Sequence, residues 1–129
     1  MNIILTIVVA VIVFMMIIMI HEFGHFVAAK SCGVLVHEFS IGFGPKLFKK
    51  KKGDTEYSLR LFPIGGFVKL EGEDEKSNDP RALSNKPAYK KLIVMAAGAA
   101  FNIITGFIIM TLAFSFQPSY TTLNVCMQN

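Results

Sequence analysis

The sequence predicts a membrane α-helical protein, two transmembrane helices flanking a small membrane-associated β region on the cytoplasmic side. Three observations carry that expectation: an uncharged apolar run near the N-terminus, a second near the C-terminus, and the confinement of every Lys and Arg to the stretch between them. Over 129 residues, 53% are hydrophobic, which is too apolar for an ordinary soluble domain of this size.

The first helix is predicted over residues 1–31. From Ile3 to Ile20 nothing is more polar than Thr6, and at helical rise this run covers roughly 27 Å, about one hydrocarbon thickness. Helix continues through Lys30, whose charge complements the dipole, and Gly33 suits the stop. A secretory leader is disfavoured because Met1-Asn2 offers no basic n-region. The second helix is predicted over 88–116, with an uncharged run from Leu92 to Phe116 that spans a bilayer with some tilt. All 13 Lys and Arg lie between Lys30 and Lys91. By the positive-inside tendency the central segment is cytoplasmic and both termini lie outside, giving a multi-pass cell-membrane protein. The net charge of +4 arises in that segment. No aromatic-interleaved basic face accompanies it, so the expected partner is the lipid bilayer and not nucleic acid. Lys46 and Lys49 to Lys52 read as a topology-setting charged turn or as headgroup contacts. Cys32 and Cys126 fall on opposite sides of the membrane and are too far apart for a disulfide.

Residues 32–70 form the predicted β region, a β-hairpin or small sheet. Val34 to Ile41 is short and β-branched, and Gly42-Phe43-Gly44-Pro45 bends the chain after it. Lys52-Gly53-Asp54 makes a turn. From Thr55 the residues alternate, Tyr57, Leu59 and Leu61 to one side and Glu56, Ser58 and Arg60 to the other, the period of a half-buried strand. It leads into Phe62-Pro63-Ile64-Gly65-Gly66-Phe67-Val68-Lys69-Leu70. Residues 71–87 read as a flexible polar loop carrying Glu71, Glu73, Asp74 and Glu75, with a short helix start at Asp79-Pro80. Residues 117–129 read as an outward-facing tail.

His21-Glu22-Phe23-Gly24-His25 ends the first apolar run. Residues four apart share a helix face, so His21 and His25 can present two imidazole nitrogens to one metal with Glu22 beside them as a base. A charge inside a spanning helix costs roughly 2.5–3.5 kcal/mol on insertion scales, which marks the motif as functional. Two histidines leave a catalytic zinc one protein ligand short. The second helix has no Asp, Glu or His; His37, Glu38 and Cys32 are the nearby donors, each equally well explained as a surface strand residue or buried thiol. Gly98, Asn102 and Gly106 are spaced by four among Ala96, Ala97, Ala99 and Ala100, which predicts close helix packing. Asn102 is expected to bond a neighbouring helix or an unwound substrate backbone, and Gly65 and Gly66 are further candidate substrate-binding positions.

Four motifs in order, His21 to His25, Gly42 to Pro45, Pro63 to Lys69 and Gly98-Ala99-Ala100-Phe101-Asn102, resemble the bacterial site-2 protease family and its RseP-like branch. The resemblance covers nearly all of this chain and only the front part of the family. It implies a zinc-dependent intramembrane endopeptidase with His21 and His25 as Zn2+ ligands and Glu22 as the catalytic base. Its substrates would be single-span membrane proteins such as anti-sigma factors, cleaved in regulated intramembrane proteolysis. Ala99 stands where family members carry proline, and the outward PDZ region and the later helix whose Leu-Asp-Gly supplies the third ligand are absent. The chain is therefore expected to be a truncated N-terminal portion. The competing expectation is a catalytically inactive two-span membrane protein that binds partners through its β region.

Overall fold

The computed structural model describes residues 2–116. The expected tail at 117–129, with Cys126, lies outside the described residues. Helix α1 runs Ile3–Ser31, strand β1 Val36–Lys52, strand β2 Thr55–Leu70, a 3-10 turn Leu83–Asn85 and helix α2 Ala88–Ser115. The Asn2 side chain caps α1 by accepting from the Ile4 amide. Helix α2 begins after Pro87, whose fixed φ suits a helix start. Both helices are long and apolar enough to cross a membrane. Ile3, Ile7, Val11 and Phe14 of α1, and Ile103, Phe107 and Ile108 of α2, stand exposed. Burying one such side chain is worth about 1.5–3 kcal/mol, so these surfaces suit an apolar surrounding.

The two strands form one antiparallel ribbon, Val36 opposite Leu70 at one end and Lys52 opposite Thr55 at the other. The ribbon is folded over at Gly42 to Pro45 and Leu61 to Gly65. Glu38 to Ile41 then lie beside Glu56 to Leu59 in step, the two segments running in the same direction, while still pairing with Gly66 to Lys69 on their other side. The result is a sheet of four segments in the order 46–52, 55–60, 36–41, 66–70. Here the expectation changes: Lys49 to Lys52 are not a turn but strand, paired with Ser58 to Thr55. Their partners come from a segment later in sequence, which composition alone did not reveal. At the fold, Gly42 has φ +84° and a side chain there would strike the Phe62 carbonyl.

Arg60 holds the fold-over closed. It donates to the Ser40 hydroxyl at 2.9 Å, the Gly44 carbonyl at 2.7 Å and the Glu38 carboxylate at 2.8 Å, and its guanidinium lies 5.0 Å from the centre of the Phe67 ring. Ser58 donates to the same carboxylate at 2.6 Å. Arg60→Ala leaves Glu38 and the buried Ser40 short of partners and is expected to destabilise the ribbon by about 1–3 kcal/mol. The measurement is trypsin cleavage at Lys49 to Lys52 in detergent, which should accelerate. Arg60→Lys should restore only part of the resistance, because a point charge cannot reach three partners at once.

The opposite face of the sheet meets α1. Phe26 packs on Phe39 and Tyr57 with ring centroids 5.1 and 5.9 Å apart, and Phe23 touches Phe101 of α2 at 6.1 Å. A small core of Ala28, Ala29, Cys32, Val34, Val36, Leu70, Val94 and Ala97 joins the end of α1, the Val36–Leu70 end of the ribbon and the start of α2. The polar segment is tied to this core by main-chain bonds: Leu35 donates to Arg81, Glu71 to Leu35 and Leu83 to Glu71. Asp79-Pro80 opens a turn and not a helix; the 3-10 turn follows at Leu83.

Glu71 also accepts from the Ser77 hydroxyl and pairs with His37. These bonds, Ser77 first, hold its carboxyl below the ordinary carboxylate range. A lowered carboxyl pKa contributes stability above the ordinary range and loses it as the pH falls through the lowered value. Docking of residues 71–85 should therefore persist at neutral pH and loosen in acid, below about pH 4. Hydrogen exchange at the Leu35 and Leu83 amides reports it.

Candidate metal centre

Helices α1 and α2 cross where Gly24 meets Ala97: a side chain on Gly24 would lie 2.6 Å from the Ala97 carbonyl oxygen. Close approach of two backbones needs such small residues. The next residue of α2, Gly98, faces the two histidines. A Cβ there would sit 2.5 Å from His25 Nε2 and 2.8 Å from His21 Nε2. The bare glycine is thus the floor under both imidazoles.

The rings are aimed by their other nitrogens. His25 Nδ1 donates to the Val94 carbonyl at 2.7 Å, and since a carbonyl only accepts, the neutral ring carries its lone pair on Nε2. His21 Nε2 lies 3.1 Å from His25 Nε2, with the rings edge to face. Two nitrogens on a tetrahedral zinc, at bonds of about 2.0–2.1 Å, lie roughly 3.3 Å apart, so the pair is close to ligand spacing. Asn102 Nδ2 lies 3.4 Å from His21 Nδ1, while its Oδ1 is buried with no partner. Metal binding through His21 Nε2 requires the proton on Nδ1. Rotating the Asn102 amide by half a turn presents Oδ1 as the acceptor for that proton and relieves the orphaned oxygen. Both rings then have the outer partner that metal-ligating histidines use to fix tautomer and direction, and the residues fit a zinc ion.

Glu22 is half-buried beside His25 and lines a cavity of about 310 Å3 with Val68, Leu70, Glu73, Leu83, Val94 and Met95. Among the described residues no group of three His, Cys, Asp or Glu could hold a metal. The nearby donors are engaged elsewhere: His37 with Glu71, Glu38 with Arg60 and Ser58, and Cys32 inside the core. Gly98 and Asn102 reach the histidines as their shared face predicts, but Gly106 meets nothing within 4 Å. Gly65 and Gly66 lie at the ribbon fold, where a side chain would enter the Phe43 ring at 2.6 Å or meet the Ser40 carbonyl at 2.6 Å and Met19 Sδ at 3.0 Å. The Val94 carbonyl escaped the sequence reading, since a main-chain acceptor leaves no side-chain signature. Glu73 was hidden within an acidic cluster.

A helix that carries His-Glu-x-x-His, with both imidazoles backed from a second apolar helix, has the arrangement of a metal-dependent hydrolase. The chain belongs to peptidase family M50, whose model matches residues 9–127. It is 49% identical over 100 residues to a Clostridium perfringens protein that bears a zinc metalloprotease name, covering 78% of this chain and 30% of the relative. A Nostoc protein with the same kind of name is 44% identical over 105 residues, 78% and 29% of the two chains. Zinc metalloprotease RasP of Bacillus licheniformis is 44% identical over 84 residues, 65% and 19%. The chain spans about 30% of the length of the first of these relatives.

Proposed function

We propose that this chain carries the front part of a zinc-dependent intramembrane endopeptidase that cleaves single-span membrane proteins, anti-sigma factors among them, in regulated intramembrane proteolysis. The observation that carries the reading is the convergence of His21 and His25 Nε2 at 3.1 Å over Gly98, with Asn102 Oδ1 left for the His21 Nδ1 proton. His21 and His25 would hold the zinc through Nε2. Bound zinc supplies Lewis acidity, polarising the scissile carbonyl and lowering the pKa of water. The Glu22 carboxylate, at the cavity beside them, takes the proton from the attacking water and returns it to the leaving amide nitrogen. The aspartate that the family uses as third ligand would come from a later segment.

The apolar surfaces of α1 and α2 and the lysine distribution support a bilayer setting with the central segment cytoplasmic and both termini outside. A peptide bond inside a helix is shielded by its own hydrogen bonds, so the substrate has to unwind. Residues 66–70 pair with β1 on one side only, and Val68 and Leu70 line the catalytic cavity. An extended substrate segment added to that free edge would run past Glu22. Gly65 and Gly66, buried at the start of that edge, would border the substrate's entry end.

The second reading, a non-catalytic two-span binding protein, draws on the lack of a third ligand among the described residues. Zinc content separates the two. The protease reading expects stoichiometric zinc in protein purified from its complete reading frame, and its loss in His25→Ala. Protein without metal under zinc-replete conditions would favour the binding reading.

A further inference from the structure

Glu73 lines the same cavity as Glu22 and His25, yet the reaction above makes no use of it. Of the other acidic residues, Glu71 pairs with His37, Glu38 with Arg60, Glu56 with Lys46, and Asp54 and Asp79 with Arg81, while Asp74 and Glu75, next in the loop and also without an ion pair among the described residues, do not line this cavity. Glu73 is exposed and has no ion-pair partner among the described residues. Its position is fixed by the turn before it. Gly72 has φ +70°, and a side chain there would meet Ser84 Oγ at 2.7 Å and Ala82 Cβ at 2.8 Å, so the backbone is clamped against the 3-10 turn. Beside His25 the cavity has aliphatic walls from Val68, Leu70, Val94 and Met95, two carboxylates and no Lys or Arg; the lysines nearest Glu73, Lys46, Lys69 and Lys76, line the adjoining cavity instead.

We infer that Glu73 is a specificity-determining residue, selecting substrates with a Lys or Arg on the cytoplasmic flank of the cleaved bond. This rests on the protease reading. A long basic side chain matches the cavity in both respects: its methylene stem lies against the aliphatic walls and its charged head reaches the unpaired carboxylate. A substrate segment on the 66–70 edge would turn alternate side chains toward Val68 and Leu70 and so into this cavity. Single-span proteins carry their Lys and Arg at the cytoplasmic end of the helix, where such a flank would lie. An acidic residue at that position would meet Glu73 and Glu22 together and be rejected by like charge.

The test uses protein from its complete reading frame in membranes, with one single-span substrate made in Lys, Leu and Glu versions at the flanking position. The wild type should cleave the Lys version roughly tenfold faster than the Glu version, the scale of one exposed attraction exchanged for a repulsion. Glu73→Gln should bring that ratio toward unity and Glu73→Lys should invert it. Glu75→Lys, the same charge change in the same loop outside this cavity, should leave the ratio alone. An unchanged ratio in Glu73→Gln, or an equal shift in Glu75→Lys, overturns the inference; should Glu73→Lys not accumulate, the Glu73→Gln ratio decides. No cleavage of any version by the wild type would instead overturn the protease reading, and cleavage lost in Glu22→Gln with a ratio indifferent to Glu73 removes this inference alone.

Discussion

Glu22→Gln is expected to lower cleavage of a membrane substrate by roughly 10²–10⁴-fold, the range general acid-base groups contribute, while zinc content stays at the wild-type level. Glutamine keeps the shape of the side chain and loses the ability to accept a proton. Glu22 neither bonds the histidines nor belongs to the small core, so metal and fold should survive the change. Measuring both quantities on the same preparation is essential. Loss of zinc together with activity would make Glu22 a ligand or a structural group, and unchanged cleavage would remove it from the chemistry. The contrasting variant is His25→Ala, where metal and activity fall together.

The second large effect is expected at a residue without a side chain. Gly98→Ala puts a methyl group 2.5 Å from His25 Nε2 and 2.7 Å from His21 Cε1, closer than any real contact. The helix has to move away or the imidazoles have to turn, and either breaks the bond from His25 Nδ1 to Val94 or the approach of Asn102 to His21. Overpacking of this kind costs about 1–3 kcal/mol, and disturbed outer partners weaken metal binding roughly 10–100-fold. Competition against a chelator measures the loss. Gly106→Ala is the control on the same helix: it meets open space, and alanine favours helix. Equal zinc affinity in the two variants would sink the idea that Gly98 is the floor of the site.

Much of the site was legible because its signals are local. The spacing of His21 and His25 is fixed by helical geometry once Ile3 to Ile20 is helix, and Gly98 and Asn102 share a face for the same reason. For the third ligand the sequence offered only His37, Glu38 and Cys32 nearby, and among the described residues no group of three such donors could hold a metal. What could not be read is what arrives from far along the chain. The Val94 carbonyl lies 69 residues from His25, and Glu73 reaches the cavity only because Gly72 is pressed against Ala82 and Ser84. The lysines from Lys49 to Lys52 looked like a turn because charge and glycine dominated their surroundings. Their strand character comes from Thr55 to Ser58, pairing that no window within the run contains.

By itself the sequence determined the two apolar helices, the motif that ends the first of them and the alternating strand from Thr55, since each depends on composition or period within one element. Tertiary structure alone decided that the ribbon doubles back on itself under Arg60, that Gly98 seats both imidazoles, and which carboxylates share the cavity. Those features depend on the relative placement of separate elements, and a backbone contact or an unpaired acid carries no period along the chain by which it could be recognised.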